Sequence, residues 1–142
     1  MDDGFAISLI AGYIAIAAIL TVYHLFALQS WSGRCEQAAS TAEVVAKNTV
    51  SADIARLHAK ADCEVARRSF PGFQLALVLG VLGFVTGLTA DVAGRIHAAG
   101  DLLTLSPVLA LDAVVVFATV ATYRTARKSI SDALAELAQT AH

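Results

Sequence analysis

Apolar residues in this chain fall into three long runs, separated by one polar stretch and one short turn. Phe5 to Leu28 carries no formal charge with His24 neutral, Phe73 to Gly94 is charged only at Asp91, and Leu102 to Tyr123 is charged only at Asp112. Each run reaches the roughly 20 residues that a helix needs to cross a bilayer core. Inside that core a single segment satisfies its own backbone groups only as a helix. The pattern predicts an all-α integral membrane protein: an N-terminal segment and first transmembrane helix over 1–28, a helical hairpin over 29–72, two more transmembrane helices over 73–123 and a tail over 124–142.

The polar stretch is rich in Ala, Glu, Lys and Arg, with Gly33 as its internal breaker and no proline before Pro71. Its propensity is helical, and Glu43–Lys47 and Glu64–Arg68 are Glu-first pairs at i,i+4, the favourable order. Lys47, Asn48, Thr49 and Ser51 mark the turn, with Ser51 placed to cap a second arm. The first arm reads as a continuation of the first span. Reflection through residue 49 puts Cys35 and Cys63 at one height on opposite arms. They read as small buried apolar residues, with a redox staple or a metal pair as the alternative; the chain has no third Cys to complete a zinc set. In the tail, Ile130, Leu134 and Leu137 recur at helical spacing, for a helix lying on the membrane or packed on the hairpin.

Composition agrees with the pattern. Hydrophobic residues make up 57% and charged residues 15%, against about 45–50% and 25% in soluble domains, and the mean hydropathy is +0.66. The formal net charge of −2 speaks against a nucleic-acid partner. The acidic start Met1-Asp2-Asp3 and the 24-residue apolar run that follows read as a retained span rather than a cleaved leader. Nine of the ten Lys and Arg residues lie in 29–72 and the tail, and the other is Arg95. By the positive-inside rule those two segments are cytoplasmic and the N-terminus is outside. Tyr23, Phe26, Trp31, Phe70, Phe73 and Tyr123 cluster near that cytoplasmic boundary, where amphipathic rings settle. His24 reads as a boundary residue, Asp91 as an interfacial partner of Arg95, and Pro107 as a first-turn residue of the third span.

Two features carry candidate chemistry. Asp112 lies in the middle of the third span, where a carboxylate costs roughly 2.5 kcal/mol or more and usually faces a bundle interior or a watery path. Thr119 follows seven residues later on the same face, and reflection through the turn near residue 98 brings Asp112 roughly level with Phe84 to Thr86, with the Thr86 hydroxyl near. Bonding of each threonine to its own i−4 carbonyl is the alternative for the hydroxyls. The second feature is a stripe on the second span: Ala76, Gly80, Gly83, Gly87 and Gly94 share one helix face. Small residues at that spacing let another backbone approach closely, either the chain's own third span or a neighbouring copy. No nucleophile set, metal cluster or phosphate loop is visible, so an enzyme, a resident metal and a cofactor are not expected.

The layout, together with Gly80-Val81-Leu82-Gly83-Phe84-Val85-Thr86-Gly87-Leu88 and with Ser106-Pro107 followed by Ala110-Leu111-Asp112-Ala113, resembles the MotA/TolQ/ExbB proton-channel family. The resemblance covers about 73–123 in register and the first span by position. It implies a homo-oligomeric ring, a pentamer, in a bacterial inner membrane. Its second and third spans would line an ion path holding Asp112, Thr86 and Thr119, and a single-span partner with an essential Asp would sit in the ring among the membrane lipids. The cytoplasmic insert is shorter than the family's, Phe84 stands where the family has threonine, and the acid falls one residue later than in ExbB. Two other functions fit the pattern: a non-catalytic accessory subunit of a larger membrane complex, and a phage-type holin with the same topology.

Overall fold

A computed structural model describes residues 3–48, 53–96 and 101–140, with side chains at 4–5, 7–48, 53–92 and 106–140. The described residues form four α-helices: α1 Asp3–Lys47, α2 Asp53–Arg68, α3 Gly72–Ile96 and α4 Asp101–Gln139. Three helical stretches are long and apolar enough to cross a membrane. Thr49, Ser51 and the turn near residue 98 lie outside the described residues.

The helices are longer than the apolar runs. α1, 45 residues in all, continues through the boundary of the first span, because past Leu28 Gly33 alone interrupts its helix-favouring sequence. α4 runs 39 residues through Tyr123, so the tail is not a separate element. Pro107 stands seven residues into α4, past the first turn where it was expected. Between α2 and α3 the chain breaks at Ser69-Phe70-Pro71; a proline disfavours helical geometry in the residue before it.

The chain divides into two compact units. The first joins the residues up to Phe26 with Gly72–Ala118, and the second joins Ala27–Pro71 with the residues from Thr119 onward. The first unit packs Ala17 of α1, Val78, Leu82 and Val85 of α3, and Val108 and Val115 of α4, with Tyr13 edge-on to Phe84 at 5.8 Å. Its outer surface is apolar: Ile19, Phe26, Phe73 and Phe117 are all well exposed. In water so much exposed apolar surface is a liability; against lipid it is the expected face.

The second unit is a three-helix arrangement built mostly from small residues: Ala38, Ala39, Ala42 and Ala46 of α1, Ala59, Cys63 and Ala66 of α2, and Ala126, Ile130, Ala133 and Leu137 of α4. The expected tail face is therefore packed on the hairpin. Cys35 Sγ donates to the Ala66 carbonyl at 3.8 Å and Cys63 Sγ to the Ala38 carbonyl at 3.6 Å. The arms thus pair 35 with 66 and 38 with 63. The cysteines stand about one turn apart in height, roughly 4.5 Å at 1.5 Å per residue, not level as reflection through 49 suggested.

Lys47 and Glu43 form the expected ion pair. Glu64 also pairs with its expected i+4 partner Arg68, Nε at 4.0 Å, and bonds the i+3 arginine, Arg67, more closely at 2.8 Å. Surface pairs of this kind contribute little to stability.

α1 carries a repeat the sequence does not advertise. Ala17, Thr21, His24, Leu28, Trp31, Cys35, Ala38 and Ala42 are all buried and recur at alternating steps of four and three. The seven steps span 25 residues, an average of about 3.6, so the eight side chains form a seam along one side of the helix. His24 belongs to this buried seam.

Candidate functional site

α3 and α4 position the acid. Val108, Val115 and Thr119 are buried on α4, and Asp112, spaced between Val108 and Val115, is half-buried on the same stripe. Leu109, Val114, Val116 and Phe117 occupy the exposed remainder of that part of the helix. Asp112 therefore turns toward α3 and not toward the apolar exterior. On α3 the packed stripe is Val78, Leu82, Val85 and Thr89, and half-buried Thr86 stands beside it.

Thr86 Oγ1 lies 2.9 Å from the Leu82 carbonyl and 3.4 Å from Asp112 Oδ2. A hydroxyl has one proton and two lone pairs. The shorter distance is an ordinary O–H···O length, whereas the longer must close by roughly half an ångström to become one. With its proton on Leu82, Thr86 Oγ1 offers a lone pair to a protonated Asp112. With Asp112 ionised, rotation about the C–O bond together with closure of that gap lets the same hydroxyl donate to the carboxylate. The i−4 bond and the carboxyl contact are two settings of one rotor. Thr89 and Thr21 keep only the i−4 form, to the Val85 and Ala17 carbonyls, both at 2.8 Å.

The structure thus brings Thr86 and Asp112 together in the first unit, at the level expected from reflection. Thr119 is buried and belongs to the second unit.

The small-residue stripe faces elsewhere. Ala76, Gly80, Gly83 and Gly87 are exposed, opposite the packed stripe of α3. A methyl group built on Gly80, Gly83 or Gly87 would meet nothing within 4 Å. Of the two partners expected for this stripe, the chain's own third span does not cover Gly80, Gly83 or Gly87 among the described residues. The surroundings of Gly94 and the side chain of Arg95, the expected partner of Asp91, lie outside the described residues.

At the second unit, Trp31 Nε1 donates to the Ala66 carbonyl at 2.9 Å, and Ser69 Oγ donates to the same oxygen at 2.9 Å. The last carbonyls of a helix have no partner within it, so the two side chains cap the C-terminus of α2. Trp31, Phe70 and Tyr123 enclose that cap, with Trp31 stacked on Tyr123 at 6.0 Å and Phe70 edge-on to both. Three of the six rings expected at the boundary therefore pack on one another, and Tyr23, Phe26 and Phe73 are exposed. No sequence signal marks Trp31 as a cap, because its acceptor is 35 residues away.

Burial pushes the thiols of Cys35 and Cys63 above their ordinary value; at Cys35, Arg34 opposes and Cys63 adds to that effect. Both are free thiols. Among the described residues no three His, Cys, Asp or Glu side chains gather in a metal-sized cluster. In comparison with known proteins, the chain matches no family model, no curated protein and no solved structure.

Proposed function

We propose that this protein is an oligomeric membrane subunit that conducts protons, or transduces the force of their flow, in the manner of the MotA/TolQ/ExbB family that its second and third apolar runs resemble. One observation carries the reading: Asp112 turns onto α3 beside the Thr86 hydroxyl, and not outward among Leu109, Val114, Val116 and Phe117. An acid tolerated at that depth needs polar company. The Thr86 rotor supplies it in either charge state of the carboxyl, which suits a group that gains and loses a proton. The outward small-residue face of α3 gives copies of the chain a surface for close approach, and closing a ring of such copies would place α3 and α4 of each along a shared path.

In this reading the second unit is the cytoplasmic end, the N-terminus is outside, and a bacterial inner membrane is the setting. Asp112→Asn, a change of charge at nearly constant volume, is expected to abolish proton flux into proteoliposomes while the particle keeps its mass. Loss of assembly in that variant would make Asp112 a structural residue and refute the channel.

The outward stripe of α3 favours a second reading, in which a different and larger membrane chain covers it and this protein is an accessory subunit. Purification in mild detergent separates the two: a particle made of this chain alone supports the ring, and large co-purifying subunits support the accessory role.

A further inference from the structure

Past Tyr123, α4 carries Arg124, Arg127 and Lys128 on exposed positions within two turns. With Val120, Tyr123 and Phe70 they line a groove of about 650 Å³ within the second unit. One end is apolar and aromatic; the other is cationic. Arg127 lies over the Tyr123 ring, 6.0 Å from its centroid. Asp132 is a carboxylate in the same lining, so three cations face one anion. Among the described residues no carboxylate forms an ion pair with any of the three.

We propose that this groove binds the headgroup of an anionic phospholipid. The phosphate sits among Arg124, Arg127 and Lys128, and the acyl chains run along Val120 and Phe70 toward the apolar part of α4. The assignment rests on the membrane reading of the third span, which ends at Tyr123, and is independent of Asp112 and of oligomeric state. A basic flank attracts anionic lipid through surface potential alone, falling off within a Debye length. A groove with cations at one end and aromatic walls at the other predicts more than that: one place where the lipid stays, and loss of that place when three particular charges are removed.

The chain's one tryptophan reports on it. Trp31 stacks on Tyr123, a wall of the groove, and bromine on an acyl chain quenches tryptophan fluorescence at short range. The full chain is reconstituted in phosphatidylcholine vesicles containing a minor fraction of acyl-brominated phosphatidylglycerol, or the same fraction of brominated phosphatidylcholine. The brominated anionic lipid is expected to quench Trp31 several-fold more than its zwitterionic counterpart. The triple variant Arg124→Gln, Arg127→Gln, Lys128→Gln brings the two to the same level. Lys47→Gln, Arg56→Gln, Lys60→Gln, with an equal charge change elsewhere in the unit, keeps the excess. An unchanged Trp31 emission maximum without bromine shows that each variant is folded; where the triple variant fails this check, Arg127→Gln alone lowers the excess in part. Soluble glycerol phosphate leaves the excess in place.

Equal quenching by the two lipids in the unaltered protein overturns the site and leaves the membrane reading standing. Loss of the excess in the control variant reduces it to surface potential, and displacement by glycerol phosphate makes the ligand a free phosphate ester. Absence of quenching by either lipid removes the membrane placement and the lipid site with it.

Discussion

Thr86 Oγ1 stands between two acceptors, the Leu82 carbonyl at 2.9 Å and Asp112 Oδ2 at 3.4 Å, and has one proton to give. The relationship makes the threonine testable apart from the acid. Thr86→Val removes the rotor and keeps the shape. Its cost in stability is expected to be near the ~0.6 kcal/mol average of polar contacts within membranes, while proton flux falls sharply. Thr86→Ser, which keeps the hydroxyl, retains flux. Flux in proteoliposomes and unfolding in mixed micelles check the two halves; full flux in the valine variant would remove Thr86 from the path.

The cap on α2 predicts a graded series at Trp31. Trp31→Phe keeps the ring stack and loses the indole donor. Because Ser69 still bonds the Ala66 carbonyl, the cost is expected to be about 1 kcal/mol. Trp31→Ala empties a buried site and is expected to cost about 3–5 kcal/mol. Chemical denaturation followed by far-ultraviolet dichroism measures both, and equal costs would mean that the ring cluster contributes nothing beyond the hydrogen bond.

The buried thiols set a pH dependence. Both are raised in the folded state by burial, so folding favours the protonated form. That contribution is complete below the ordinary thiol value of 9.0 and is lost as pH rises above it toward the folded values. Stability is therefore expected to fall on the alkaline side of pH 9.0, and less so in Cys35→Ala, Cys63→Ala. Maleimide labelling at neutral pH is expected to be slow in the folded protein and fast on unfolding. Rapid labelling of the native state would show the thiols accessible.

Much of this architecture is legible in residue order, because length and hydropathy alone select helices in a bilayer. The arms of the hairpin, the packed face of the tail and the level of Thr86 against Asp112 follow from helical spacing and reflection. The direction of the small-residue stripe does not. In a soluble helix the packed face is the apolar one, but α3 is apolar all round, so Val78, Leu82 and Val85 look no more buried in sequence than Gly80 and Gly83. The seam of α1 is hidden for a related reason. It mixes Ala, Thr, His, Trp and Cys, so no binary pattern exposes its period. The aromatic cluster joins residues 31, 70 and 123, a tertiary fact that boundary statistics read as three separate anchors.

In the proposed ring, copies of this chain meet through the outward face of α3. The most direct measurement is the mass of the purified particle in mild detergent, for the unaltered protein and for Gly83→Leu. A Cβ at position 83 meets nothing within 4 Å among the described residues, so the fold is expected to survive, with unchanged helical dichroism. One homo-oligomeric mass is expected, several multiples of 14.8 kDa, collapsing toward the monomer in the leucine variant. A monomeric unaltered protein, or an assembly indifferent to leucine at position 83, would contradict it.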